Sequence, residues 1–196
     1  DLMLKGSWVI LPNVSFTVRA TDTFGKMTQL PFSIVEDATV PLVTIDQPQV
    51  TDWLSGASAT AVGSTSDVTS GLSLVEVRID TNGDGDYLDG GVENYAPATG
   101  TLSWNSAINL ATLGEGTRTL EVRATDQAGN QDTLARSFGV DLSDPTTSVS
   151  GPGSSNAAFT LSGTAADTNG LTCITVSQSK DGGPDVEVLN TTLTGT

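Results

Sequence analysis

The sequence predicts an all-β chain of tandem antiparallel β-sandwiches, and three observations carry that expectation. Apolar residues recur with a period of two, as in "TLEVRATD", where Leu120, Val122 and Ala124 alternate with Glu121, Arg123 and Thr125. Short β-branched or aromatic runs, bounded by Gly, Pro, Asp or Ser, follow one another at about seven per hundred residues, the spacing of a sandwich. Finally, sequence returns: "SFTVRATDTFGK" at 15–26 reappears as "TLEVRATDQAGN" at 119–130.

The repeat orders the chain. Val18 aligns with Val122, Asp22 with Asp126, Gly25 with Gly129, Pro41 with Pro145 and Pro48 with Pro152, each at an offset of 104. A second block, "ATAVGSTSDVTSGLSLVEV", resembles "FTLSGTAADTNGLTCITV", pairing Gly63 with Gly163 and Asp67 with Asp167. A period near one hundred is a small domain rather than a solenoid unit. Residues 1–38 then read as the C-terminal half of one domain, 39–141 as a complete domain, and 142–196 as the N-terminal half of a third. Half-domains leave apolar faces open, so these two are expected to be completed by further chain or by neighbouring copies in an assembly.

Within the complete domain, "LVTIDQP" and "ATAVGS" open the strand series. "LVEVRID" follows, with Val75, Val77 and Ile79 on one face and Leu74 on the other, where an apolar residue is out of place. Trp104 in "TLSWNS" is an expected core aromatic. "SAINLATLGEG" supplies one helical turn, and "TLEVRATD" and "LARSFGV" close the unit. Further on, the alternation of "LTCITV" reads Cys173 as a small buried hydrophobe rather than a reactive thiol.

Charge and absences limit the function classes. Eight basic residues face 23 acidic ones, a net charge of −15. Such a surface repels nucleic-acid phosphates and anionic lipid and attracts cations. With no histidine, Ser-His-Asp and Cys-His catalysis and His-ligated zinc are excluded. A single cysteine forms no internal disulfide, and no 18-residue apolar run offers a membrane span. The absence of an initial Met is expected of a processed or excerpted piece.

"GTRTLEVRATDQAGN", preceded by "LSWNSAINLATLGE" and "DVTSGLSLVEVRID", resembles the bacterial immunoglobulin-like domains strung in tandem along large surface and secreted proteins. The resemblance covers the middle domain and both flanking halves. It implies an immunoglobulin-like sandwich, extracellular or cell-surface exposure and often calcium, but no reaction.

The loop "DTNGDGDYLDGGVE" carries the chain's most specific chemistry. Asp80, Asn82, Asp84 and Gly85 fill the first six places of an EF-hand calcium loop, and Asp86 sits in the seventh, where a backbone carbonyl serves. The twelfth place is Gly91 instead of a bidentate Glu, with Asp89 and Glu93 flanking it. The first half also resembles the aspartate-rich repeats of dockerins and thrombospondin type 3 segments. The expected ligand set for Ca²⁺ is therefore Asp80, Asn82, Asp84, Asp86, Asp89 and Glu93, at modest affinity. Asn82-Gly83 or Asp84-Gly85 alone would reverse the chain, so a bare turn stands beside this reading.

The junctions form a second acidic set. "VEDATVP" at 35–41 and "VDLSDP" at 140–145 place carboxylates before a proline, and Asp22 and Asp126 lie on turns able to reach such junctions. Cadherin-like calcium clamps use this arrangement; a solvated linker is the alternative. Trp8 and Trp53 are weak sugar-binding candidates, so a glycan is a candidate ligand, and "NVS" and "NTT" are glycosylation sequons. The expected function is a non-catalytic structural segment of a tandem array, calcium-stiffened, on a cell surface, appendage or matrix. The partners are its neighbouring domains, without nucleic acid or membrane insertion. A carbohydrate- or protein-binding adhesin or accessory module of a secreted enzyme is the alternative. Paired carboxylates also serve glycoside hydrolysis, but here they cluster in turns.

Overall fold

The computed structural model describes residues 14–179 and 182–192. These residues are nearly all β. Strands β1 (Val14–Thr21) and β2 (Met27–Ile34) form an antiparallel hairpin. Then come β3 (Leu42–Val43), β4 (Trp53–Leu54), β5 (Ala59–Ser66), β6 (Leu72–Asp80), β7 (Ala96–Pro97), β8 (Ser103–Ile108), β9 (Gly116–Asp126) and β10 (Gln131–Val140). The expected helical turn is a 3₁₀ turn at Leu110–Thr112. Last are β11 (Thr146–Ser150) and β12 (Ser162–Ala166), paired with each other, and β13 (Cys173–Gln178) and β14 (Val186–Thr192), likewise paired.

Strands β3 to β10 make a sandwich. One sheet runs β4-β10-β9-β6-β7 and the other β3-β5-β8. β9 shows the alternation most clearly: Leu120, Val122 and Ala124 are fully buried, while Glu121, Arg123 and Thr125 face outward. Across the sheet, Val75 and Val77 point the same way, and Phe138, Val140, Ile108 and Trp104 close the layer between the sheets. Burying each Val, Leu or Phe is worth about 1.5–3 kcal/mol, which makes this cluster the main source of stability.

Trp104 explains a repeated glycine. Gly63 lies opposite it in the β5–β8 register. A Cβ on Gly63 would fall 2.6 Å from the indole Cζ2 and well inside contact distance of the Thr44 carbonyl oxygen. Gly163, its repeat equivalent, meets the Ser148 carbonyl in the same way.

The outer face of the larger sheet is polar and interlocked. Glu76 pairs directly with Arg123, and Arg78 with Glu121, in the β6–β9 register. Both pairs are salt bridges, at 2.6 Å and 2.5 Å. Tyr95 stacks against both guanidinium groups, at 3.8 Å from Arg123 and 4.4 Å from Arg78, and Tyr87 covers Arg78 at 3.8 Å. Leu74 does face outward, 37% exposed.

One expectation is corrected. Cys173 is exposed, not buried. The inward positions of β13 are Ile174 and Val176, and Cys173 occupies the phase of the outward Leu74. The alternation of β13 runs one residue out of step with the expected one, and a one-residue slip moves every side chain to the other face.

Candidate functional site

The β6–β7 connection is the loop in which calcium ligands are expected. Asp80 ends β6 in the phase of the outward Glu76 and Arg78, yet the loop covers it and it is 2% exposed; Glu93, thirteen residues on, is 1% exposed. Both carboxylates bind backbone donors. Asp80 accepts Gly83 N–H at 2.6 Å and Gly85 N–H at 2.9 Å. Glu93 accepts the Thr81 N–H at 2.6 Å and hydroxyl at 2.9 Å, and its second oxygen meets Asp89 N–H at 3.4 Å. Gly83 and Gly85 adopt φ of 78° and 92°, the left-handed geometry that turns their amides inward. A side chain at Gly83 would strike Arg118, whose own donors go to the carbonyls of Leu113, Glu115 and Thr117.

Asp84, Asp86 and Asp89 form the exposed rim. Asn82 Oδ1 accepts Asp84 N–H at 2.9 Å, and its amide donates to Asp84 at 3.0 Å and to Asp89. Asp84 accepts Asp86 N–H and Asp86 accepts Leu88 N–H, continuing the chain of short-range turns. The charges act on one another. Desolvation, then repulsion from Asp84, Glu93, Asp86 and Asp80, pushes the Asp89 carboxyl above its ordinary range. The Asn82 amide, followed by the Asp86 N–H, lowers Asp84, and the Thr81 N–H lowers Glu93.

A second centre lies where β5, β9 and the segment before β3 meet. Among the described residues, one group of carboxylates converges: Asp37, Asp67 and Asp126 each bring an oxygen within 4.8 Å of the others. Three local structures hold them. Asp67 anchors the β5–β6 turn by accepting Thr69, Ser70 and Gly71 N–H at 3.1, 2.9 and 2.8 Å. Asp126 is buried at the end of β9 and accepts the backbone N–H and side-chain amide of Asn130, both at 2.8 Å. Asp37 accepts the Thr39 N–H and hydroxyl at 2.9 and 2.6 Å and Ser70 N–H at 3.0 Å. Hydrogen bonding from Ser70, then Thr39, pulls the Asp37 carboxyl down to about 2. Asn130 also donates to the Asp37 carbonyl at 3.1 Å, tying the segment to the β9–β10 turn.

The donor set fits a hard divalent cation. Three carboxylates on separate backbone elements, all oxygen donors, suit Ca²⁺; Zn²⁺ would lack nitrogen and sulfur ligands. The Ser70 hydroxyl beside them is buried, near enough to Asp37 to help lower its carboxyl but outside full hydrogen-bonding geometry. The ion pairs among the described residues, Arg78–Glu121 and Arg123–Glu76, do not involve the three.

The sequence singles out Asp126 by its turn and Asp37 only as part of the acidic run "VEDATVP"; it marks Asp67 only as a repeated position. Its recurrence at Asp167, three residues before the turn glycine Gly170, is the available signal. Asp22, the repeat partner of Asp126, caps its own hairpin by accepting Phe24 and Lys26 N–H at 2.9 and 2.8 Å. Trp104 is core as expected, 2% exposed. Trp53 is 53% exposed, but its ring lies over Gly139 so closely that a Cβ there would collide with it. Trp8, Asn13 and the side chain of Asn190 lie outside the described residues.

No protein-family model matches the chain, and no curated protein does. Among solved structures, a tetra-tandem repeat in the extending region of a large adhesion protein is similar at 21% identity and a TM-score of 0.44. It covers 93% of this chain and 46% of its own. An engineered protein is similar at 16% identity and a TM-score of 0.37, covering 52% of this chain and 20% of its own. The chain thus spans less than half the length of either, and similarity at this level carries no inference about what it does.

Proposed function

We propose that this chain is a non-catalytic structural segment of a tandem immunoglobulin-like array in a cell-surface, appendage or extracellular-matrix protein. In this reading calcium stiffens a junction between units. The observation that carries it is the convergence of Asp37, from the segment between β2 and β3, with Asp67 and Asp126 from the end of the sandwich. A cation shared by the three ties that segment to the sandwich at a point where hydrogen bonds from Asn130 and Ser70 already hold it. The Asp80–Glu93 loop is a second calcium site of the same reading, with Asp80 and Glu93 as buried anchors and Asp84, Asp86 and Asp89 as the rim. Binding there would relieve the repulsion that raises Asp89.

The function follows from mechanics. A spacer has to resist bending, and a crosslink at the junction removes the freedom of the intervening residues. The affinity expected of extracellular modules is about 0.1–1 mM. At a hundredfold excess of Ca²⁺ over Kd, binding to the folded state alone adds about 2.7 kcal/mol. For a unit of about a hundred residues that is a rise of roughly 10–20 °C in Tm.

The test is calorimetric unfolding and small-angle scattering in calcium and in chelator, on wild type, Asp67→Ala and Asp84→Ala. Wild type should gain stability and extension with calcium. Asp67→Ala should lose the gain in extension, and Asp84→Ala only the share of Tm contributed by the loop. A wild-type midpoint and maximum dimension that do not respond to calcium would sink the reading.

A further inference from the structure

We propose that the outer face of the larger sheet, where the Trp53 indole lies flat on Gly139, is a binding platform for a neutral glycan. The inference goes beyond the structural reading of the chain and is independent of calcium.

The platform is built by the sheet itself. β4 adds to the edge of β10 with Trp53 beside Gly139, and Gly139 in turn pairs with Thr117 of β9. Phe138 and Val140 point into the core, so a side chain at 139 would stand on the outer face. A Cβ there would fall 2.5 Å from Trp53 Cε3 and 2.7 Å from Cε2, and closer still to Cδ2 between them. Cδ2 is a fusion atom with three ring neighbours, so it is met through the face of the indole and not its edge. One face of the ring therefore rests on the backbone. The side chain is still 53% exposed, which turns the other face to solvent. Gly139 does not adopt a positive φ, so the indole, and not the backbone, is what requires glycine here.

The repeat separates this pair from the needs of the fold. At the offset of 104, Gly139 corresponds to Val35 and Trp53 to Ala157, whereas the core residue Val122 corresponds to Val18. The strand pattern persists without the indole. A following unit does not cover the spot either. Val35, with the complete middle unit after it, is 63% exposed.

The surroundings select the ligand class. Thr117 lies one strand beyond Gly139, about 4.8 Å away, and Ser137 lies two residues back along β10, about 7 Å away. Thr119 pairs with Ser137 on the same face, their hydroxyls 3.3 Å apart, and each keeps hydrogen-bonding capacity for a ligand. The arginines of this face are engaged: Arg78 and Arg123 are held by Glu121 and Glu76 and stacked on Tyr87 and Tyr95. An anionic ligand would face a net charge of −15 without their help. A flat apolar ring flanked by hydroxyls suits the C–H face and the hydroxyl groups of an uncharged pyranose.

The test is titration of the full chain with cellohexaose, mannohexaose, maltohexaose and chitohexaose, read by indole N–H resonances and by saturation transfer to the sugar. At least one hexaose should shift the Trp53 N–H and leave that of the buried Trp104 in place. Trp53→Ala should weaken binding by about tenfold, and Trp53→Phe should fall between it and wild type. Gly139→Ala keeps the indole but lifts it from the sheet, and should weaken binding by at least about threefold. That variant carries the test if Trp53→Ala fails to fold. Phe24→Ala, which removes an exposed aromatic on the β1–β2 turn, should change nothing. Chelator should leave the affinity unchanged, which separates this result from the calcium reading. The proposal is overturned if none of the four hexaoses moves the Trp53 resonance, or if binding survives Trp53→Ala or Gly139→Ala in folded protein. It is equally overturned if tetramethylammonium chloride at the same concentration moves that resonance as far, which would make the ring a cation site.

Discussion

Gly63 has no side chain because Trp104 and the Thr44 carbonyl already occupy the space one would need. Gly63→Ala should destabilise the sandwich by about 1–3 kcal/mol through overpacking, seen as a lower urea midpoint with an unchanged m-value. Leu120→Ala acts in the opposite sense, opening a cavity in a fully buried site, and should cost about 2–5 kcal/mol. Tyr95 gives a pH signature. Burial, then its hydrogen bond to Glu121, pushes its phenol up to about 12. A raised acid favours folding in its neutral form, so its contribution is intact below the ordinary tyrosine pKa of about 10. It fades as pH climbs from there towards 12. Absorbance titration should lose its latest-ionising tyrosine in Tyr95→Phe, leaving Tyr87, which burial also pushes up; a Tyr95 that ionises with free tyrosine would contradict the structure.

Among the elements, β6 and β9 are the best determined by local sequence. Their inner faces read as strict alternation, and Val75, Val77, Leu120, Val122 and Ala124 are buried as that pattern requires. Their outer faces were less legible. Nothing in "LVEVRID" announces that Arg78 will meet Glu121 or lie between Tyr87 and Tyr95, because those partners come from other strands and loops. The pair is partly exposed, so a double-mutant cycle on Arg78 and Glu121 should give a coupling of about 0.2–1 kcal/mol, reduced by salt. The β6–β7 loop was legible as an aspartate-rich turn with two inward glycines. The anchoring roles of Asp80 and Glu93 depend on burial, which spacing does not report.

For the whole molecule the dominant fact is charge. At −15 the chain repels itself, most strongly where Asp37, Asp67 and Asp126 converge and where the β6–β7 loop gathers its carboxylates. Raising NaCl in chelator shortens the screening length to about 8 Å at physiological strength. It should therefore raise the unfolding midpoint of the calcium-free protein. With calcium bound, the same salt series should have a smaller effect, because the repulsion is already neutralised. Equal salt dependence in both conditions would mean that the acidic clusters do not set the electrostatic strain.

The sequence by itself determined the all-β class, the core strands, the single helical turn and the repeat, since period-two alternation and turn residues are local properties of the chain. It also pointed to Asp126 and to the acidic run "VEDATVP" that holds Asp37. Only the tertiary structure decided that Asp67 joins them, that Cys173 faces outward, and that Trp53 covers Gly139. Those facts depend on which distant backbones approach one another. Asp37 and Asp126 lie far apart in sequence and meet because β9 ends beside the segment that leads into β3. Composition and spacing carry no record of that meeting; packing of the two sheets creates it.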